Sequence, residues 1–139
     1  MTHVTALQAA LVALLKADAA VAAIVGAKVF DEIPEDQRGP TVKPPYLYVG
    51  PVNKTRIEMG AFPPFRVRLR LYAVSTEFGR REAWLLADAV ESALEDARPA
   101  LAAPYEVTEP VAVLQAGDVI EPLNPKSVFV DVQTTVVRA

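Results

Sequence analysis

The segment Phe65–Val74 alternates apolar and charged side chains with a regularity that constrains its structure. Phenylalanine, valine or leucine takes every second position up to Leu71, and arginine or tyrosine takes the positions between. Because successive strand residues point to opposite faces, this pattern predicts a strand with one apolar and one charged face. Such a strand belongs to an antiparallel or mixed sheet that has only one face on the core. The charged face carries Arg66, Arg68, Arg70 and Tyr72.

Helical spacing and turn residues place further elements on both sides of this strand. Apolar residues at helical spacing predict two N-terminal helices, the second with Asp18 as its N-cap and Gly26 just after its end. A long central helix is expected to begin after Ser75 or Thr76 and to end before Pro99. The predicted helices cover 4–17, 19–25 and 78–97; the predicted strands cover 28–32, 46–57, 65–74, 105–107, 111–114 and 128–137; and surface loops or turns cover 33–45, 58–64 and 117–125.

This order of helix, helix, strands, helix and strands is typical of an α+β fold. We predict a mainly antiparallel sheet with the two N-terminal helices and the long central helix packed on one face. The 139 residues suit a single domain spanning 1–139, and 52% hydrophobic with 22% charged residues is the composition of a globular chain. The predicted shared core contains Leu7, Leu11, Leu69, Leu86, Val90, Leu94 and Val130.

The inventory of reactive side chains is small. The chain has no cysteine, and its one histidine, His3, lies beside the first methionine, where we expect it to be exposed. The six glycines are scattered, so no phosphate-binding loop is formed. We therefore expect no catalytic residue, no cofactor and no metal. Lys16 and Asp18 interrupt the apolar N-terminal stretch, which indicates buried helices in a cytoplasmic protein rather than a membrane span.

Two charged stripes leave alternatives open. Asp88, Glu91 and Glu95 share one face of the predicted long helix, where they are either solvated, matched by a basic partner, or ligands of a hard cation. The arginine row of the alternating strand is either laddered with acids such as Asp131 on a neighbouring strand or contacts nucleic acid or an acidic protein surface.

Charge is also segregated along the chain. Nine basic and two acidic residues lie from Arg38 to Arg81, whereas nine acidic and one basic residue lie from Glu82 to Glu121. These blocks either pair within one molecule or favour head-to-tail contact between copies, which closes into a ring when the rotation allows it. The segment Asn53–Pro64 is longer than a tight hairpin needs, so it is either an arm that reaches a partner or a mobile connection. It carries Lys54, Arg56 and Met59.

The order and spacing of several segments resemble the tail-completion, or tail-terminator, family of long-tailed bacteriophages and prophages. No single segment is specific, but together they extend over most of the chain. The matching segments are Leu7–Leu11, Leu14–Val21, Ile24–Pro34, Pro45–Gly50, Tyr72–Ser75, Gly79–Ala83, Leu86–Val90 and Ala93–Leu94.

The resemblance implies a virion structural protein without catalysis. Members of the family form a ring, typically of six copies, at the head-proximal end of the tail tube, which stops tube growth and offers a surface for the head. Expected partners are the tail-tube protein, a head–tail connector or stopper protein, and double-stranded DNA passing through the ring, with assembly in the host cytoplasm. The alternatives are another neck component, such as a connector or stopper, or a small anionic-ligand-binding or enzymatic domain. The candidate interface residues are Lys54, Arg56, Met59, Arg66, Arg68, Arg70, Asp88, Glu91 and Glu95.

Overall fold

The protein is described by a computed structural model that covers residues 1–58, 60–75, 80–119 and 126–139. The elements follow the predicted order of two helices, a group of strands, one helix and a second group of strands. The helices are α1 (His3–Ala17), α2 (Ala19–Val25) and α3 (Arg81–Leu94). The strands are β1 (Val29–Phe30), β2 (Glu35–Asp36), β3 (Gly39–Pro40), β4 (Tyr46–Arg56), β5 (Phe65–Val74), β6 (Tyr105–Val107), β7 (Ala112–Val119) and β8 (Ser127–Arg138).

The two N-terminal helices begin at side-chain caps. The Thr2 hydroxyl accepts a hydrogen bond from the Thr5 amide at 3.1 Å, and the Asp18 carboxylate accepts one from the Val21 amide at 3.1 Å. These caps satisfy amides that have no partner inside the helix. Within the described residues no single helix is long and apolar enough to cross a membrane. Taken together, α1 and α2 have the length and apolar composition of a span, but they are bent by 82° at their junction.

The large sheet is mainly antiparallel, as predicted. Its strand order is β1-β4-β5-β8-β6, and β7 pairs with β8 as well. Among the strands of the described segments, only the short β1 runs parallel to its neighbour, pairing Val29 with Leu47 and Phe30 with Tyr48 in β4. Because β5 lies along one side of β8, β6 and β7 share the other side, with β7 opposite Ser127–Gln133.

The core lies between the helices and one face of this sheet. All seven residues predicted to share it are at most 1% exposed and belong to one cluster. The apolar residues of β5 point into this cluster, so the alternating pattern assigned its two faces correctly. The α+β class and the packing of helices on one face are confirmed.

The long helix is shorter than predicted. It spans Arg81–Leu94 rather than 78–97; positions 78 and 79, and Thr76, lie outside the described residues. Ser75 does not cap the helix, because its hydroxyl bonds the Glu82 carboxylate at 3.0 Å. The helix ends early because Asp96, at φ 61°, donates its amide to the Val111 carbonyl at 2.9 Å. Pairing with a distant segment therefore replaces the last predicted turn.

Three strand predictions also need correction. The segment 33–45 is not a plain loop, since β2 and β3 pair within it and the Asp36 carboxylate accepts the Arg38 amide in their turn. Strand β7 continues to Val119, whereas a turn was predicted from Gly117; positions 120–125 lie outside the described residues. Strand β4 runs to Arg56, so the first four residues of the segment Asn53–Pro64 belong to a strand and not to a long connection.

Candidate interaction surfaces

The sheet face turned away from the core, here called the open face, carries the arginine row. Its centre is Asp131 on β8, which is only 2% exposed although it lies on the uncovered side of the sheet. Arg70 binds this carboxylate with two hydrogen bonds, Nε to Oδ1 at 2.8 Å and Nη2 to Oδ2 at 3.1 Å. Gln115 on β7 donates to Oδ2 at 2.7 Å, and Arg68 approaches it at 3.5 Å. We call these four residues the Asp131 cluster.

The Asp131 cluster is an ion pair that neutralises part of the arginine row. Hydrogen bonds from Arg70 hold the pKa of Asp131 below its usual value, and the same contact raises the pKa of Arg70. The Arg70 guanidinium also lies 3.9 Å from the centre of the Phe129 ring. Of the alternatives for the arginine row, the structure shows the ladder with Asp131 at Arg70 and Arg68, and Arg70 is held by its own chain.

Aromatic rings cover much of the remaining open face. Tyr48 on β4 stacks on Tyr72 on β5 with ring centres 5.0 Å apart. Tyr72 lies over Gly50 and Phe129 lies over Gly117, since a Cβ at either glycine would collide with the ring. The two glycines therefore leave space for the neighbouring rings, so that both rings pack directly against the strand backbone.

A depression of about 320 Å³ opens on this face beside Pro51, Asn53 and Arg68. Small anions bind best where cationic donors are free to converge on them. Arg70 at the wall of this depression already donates to the Asp131 carboxylate, so its charge is largely compensated. The geometry therefore offers little to the alternative of an anionic-ligand site.

The acidic stripe on α3 lies beside β7 and is differently placed. Glu95 accepts the Val113 amide at 3.1 Å, so this carboxylate holds β7 to the helix. Asp88 and Glu91 take part in no ion pair with the described residues. Partial burial, followed by repulsion from the other two acids, raises the pKa of Glu91. Together with Leu114, which is 41% exposed on β7, these three acids form what we call the acidic edge.

No described part of the chain has three or more histidine, aspartate or glutamate side chains grouped as a metal ion requires. Asp88 and Glu91 project from α3 and Glu95 from its C-cap, whereas hard cations take oxygen ligands that converge from several directions. A depression of about 380 Å³ separates Glu91 and Glu95 from Leu114, so the edge is open to a larger partner.

The basic residues at the opposite side of the sheet shape a hairpin. Lys54 places its ammonium 4.4 Å from the centre of the Phe65 ring. Arg56 donates from Nε to the Glu58 carbonyl and from Nη2 to the Gly60 carbonyl, both at 2.8 Å. Arg56 therefore organises the connection between β4 and β5. Met59 lies outside the described residues.

The prediction that His3 is exposed is wrong. Its ring packs between Phe65 and Tyr105, with centres 4.8 and 5.0 Å away, because α1 begins beside the turn end of the β4–β5 hairpin. Burial, followed by the positive charges of Lys54 and Arg138, lowers the pKa of His3. Sequence position suggested a free terminus, and only the fold brings these rings together.

Sequence reasoning also missed a contact between α3 and β7. The Trp84 indole donates to the Asp118 carboxylate at 2.9 Å, and Arg80 approaches the same oxygen at 3.6 Å. Arg80 comes from the basic block and Asp118 from the acidic block, so the two blocks meet within one molecule at this point. Asp131, which binds the arginine row, lies beyond both blocks.

Known proteins give this geometry its context. The sequence matches the family described as "Tail completion protein gp17" over residues 9–137. The fold is similar to a chain in the structure "Virion of native gene transfer agent (GTA) particle", with a TM-score of 0.82 and 25% identity over 96% of each chain. No curated protein matches the sequence significantly.

The family match extends over nearly the whole chain and therefore over the core, the open face and the acidic edge. The chain belongs to the tail completion family. It is a structural protein of the phage tail, as the resemblance implied.

Proposed function

We propose that this protein forms a ring at the head-proximal end of the tail tube, where it ends tube polymerisation and provides the surface to which the head docks. The observation that carries the proposal is the match to the tail completion family over residues 9–137. In this proposal the ring contains about six copies, the number that the family resemblance implies, related by cyclic symmetry. Its partners are the tail-tube protein on one side and a connector or stopper protein on the other.

The fold supports a role in assembly. The similar chain of the gene transfer agent particle belongs to a virion, and the likeness covers 96% of both chains. We place this protein likewise in the virion tail, assembled in the cytoplasm of a cell that carries a phage or prophage. Double-stranded DNA passes through the ring without sequence-specific contacts.

The protein acts without catalysis, cofactor or metal in this proposal. Supporting this, the chain has no cysteine, and its single histidine packs between two aromatic rings rather than beside a nucleophile. A catalytic nucleophile needs a general base within hydrogen-bonding distance. Histidine is the side chain whose ordinary pKa best suits that role near neutral pH, and His3 is the only histidine in the sequence.

Deletion of the gene from the phage or prophage genome tests the proposal. Negative-stain electron microscopy of the particles should show headless tails whose tubes vary in length and exceed the normal length. Tails of normal length that have merely lost their heads would instead assign the protein to a connector or stopper position. Normal particles with attached heads would overturn a role in completing the tail.

A further inference from the structure

The large sheet has two free edges at opposite ends. On one side, β1 covers β4 only at Leu47 and Tyr48, so Val52–Arg56 has no strand on its outer side within the described residues. On the other side, β7 pairs with β8 and, in the same described parts, with no further strand. Pro51 lies in β4 at this boundary, a position that an edge strand tolerates. Free strand edges are natural surfaces for contact with another chain.

The two edges have compatible directions. Three successive antiparallel pairings separate β4 from β7, so the two strands run in opposite directions. A second copy rotated about an axis along the strands therefore brings its β4 beside β7 of the first copy in antiparallel orientation. The helix-bearing faces then stay on the same side, as head-to-tail contact in a ring requires.

Opposite charges lie on the same face at the two edges. Lys54 is opposite Val67, whose side chain is fully buried, so Lys54 leaves β4 on the side that carries the helices. The acidic edge lies on that side as well, because α3 packs there. Asp88 and Glu91 take part in no ion pair with the described residues, and neither does Lys54.

Exposed apolar side chains accompany these charges. Leu114 is 41% and Leu85 51% exposed near the acidic stripe, and Ile57 is 41% exposed where β4 ends. Apolar contact at the centre with charges around it is the usual composition of a protein interface. The charges would set the register, and the apolar groups would add buried area.

Both edges also carry features that limit strand pairing. A bulge interrupts β4 between Val49 and Val52 and another interrupts β7 between Val113 and Gln115. The Val113 amide donates its hydrogen bond to the Glu95 carboxylate and is therefore not free to pair with another strand. Bulges and charged side chains restrain indiscriminate edge-to-edge pairing, so contact between copies depends mainly on the matched side chains.

We infer that, in the ring proposed above, the β4 edge of one copy, with Lys54 at its centre, packs against the acidic edge of the next copy, with Glu91 at its centre. The partner is a second copy of this chain. The inference rests on the proposed ring and specifies which surfaces close it.

Charge reversal in the deletion background tests the inference. Lys54→Glu and Glu91→Lys should each lower the number of complete particles by about tenfold or more, since like charges then face each other. The double variant should restore most of the loss, because the reversed charges attract again. Arg38→Glu and Glu35→Lys are matched controls at exposed positions in the separate β2–β3 hairpin and should behave as the unmodified protein. Thermal melts of every purified variant should stay close to that of the unmodified protein.

A crosslinking measurement makes the same contact visible. The natural chain has no cysteine, so thiols introduced by Lys54→Cys and Glu91→Cys are the only ones that this chain carries. In purified tails, a short bis-maleimide should join copies of the doubly substituted chain into a ladder of covalent oligomers on a denaturing gel. Each single-cysteine variant should stop at the dimer or below.

The outcomes separate the two proposals. Single reversals that complement normally, or a double variant no better than either single variant, would overturn the edge contact while leaving the ring in place. A deletion without effect on particles would remove the proposed function itself. Rings that form without a crosslinked ladder would assign their closure to other surfaces.

Discussion

The Asp131 cluster lies on the open face of the sheet and the acidic edge lies on the helix side, and their charges are paired differently. Asp131 is almost fully buried and receives hydrogen bonds from Arg70, Gln115 and Arg68. Glu91 of the acidic edge has no ion-pair partner among the described residues, and partial burial, followed by repulsion from Asp88 and Glu95, raises its pKa. In the first region the charges pair within the chain, whereas in the second Asp88 and Glu91 have no ion-pair partner among the described residues and can pair with another copy.

The difference has an energetic consequence. Removing one member of a buried ion pair leaves an uncompensated charge and typically costs about 3–5 kcal/mol of unfolding free energy. Removing a carboxylate whose neighbours repel it relieves the folded state instead. Substitutions in the two regions should therefore shift stability in opposite directions.

The largest expected effect is at the Asp131 cluster. Asp131→Ala should lower the free energy of unfolding by about 2 kcal/mol, because Arg70 and Gln115 lose their shared acceptor while the Arg70 side chain, 34% exposed, keeps part of its hydration. Asp88→Ala is the control, since this exposed acid has no ion-pair partner in the described structure. Urea denaturation followed by circular dichroism measures both variants. Equal effects of the two substitutions would show that the cluster is not structural.

Acid titration should separate the regions next. Asp131 has a folded pKa below its ordinary value of 3.8, so its stabilising contribution is present above that pH and is lost as the pH falls through the folded pKa. Glu91 has a folded pKa above 4.5, so its contribution is present below pH 4.5 and is lost as the pH rises through the folded pKa. Thermal melts across pH 2–7 measure both.

Substitution should confirm which residue causes each part of that profile. Asp131→Asn should flatten the loss of stability at low pH, and Glu91→Gln should flatten the loss near and above pH 4.5. If both variants keep the full profile of the unmodified protein, other groups govern its pH dependence.

A smaller effect is expected at Glu91 near neutral pH. Glu91→Gln should raise the free energy of unfolding of the isolated chain by about 0.5 kcal/mol, because it removes a partly buried charge and its repulsion from Asp88 and Glu95. The same variant should lower the yield of complete particles. A gain in both stability and assembly would contradict the view that this acid is kept for contact with another copy.

The smallest expected effect is that of metal removal. Treatment with a chelator should leave the melting temperature unchanged, since the acids of α3 lie along one helix and Glu95 binds a backbone amide. A clear fall in melting temperature, restored by added Mg²⁺ or Ca²⁺, would show that the acidic edge holds a cation.

Local sequence patterns predicted the parts of the fold that local physics determines. The alternation of β5 defined its two faces, and helical spacing placed Leu86 and Leu94 in the core. The end of α3 was missed, because the bond from Asp96 to Val111 joins segments that no local pattern connects. Such pairing is a tertiary effect that overrides helix propensity.

The candidate site was predictable only in part. Opposing strand faces pointed to Asp131 as a partner of the arginines, but Gln115 reaches it through a strand register that includes a bulge. The row Arg66, Arg68 and Arg70 reads as one surface in sequence, although Asp131 binds Arg70 most closely. Which charges remain unpaired depends on the whole fold, so the sequence alone left that question open.

Electron cryomicroscopy of the junction between head and tail tests the central claim most directly. A reconstruction of complete particles should show a closed ring of this chain on the last layer of the tail tube, with Lys54 of each copy facing Glu91 of the next. A ring closed through other surfaces would contradict the edge contact. Location of the chain at the far tip of the tail, or as a single copy, would contradict the account as a whole.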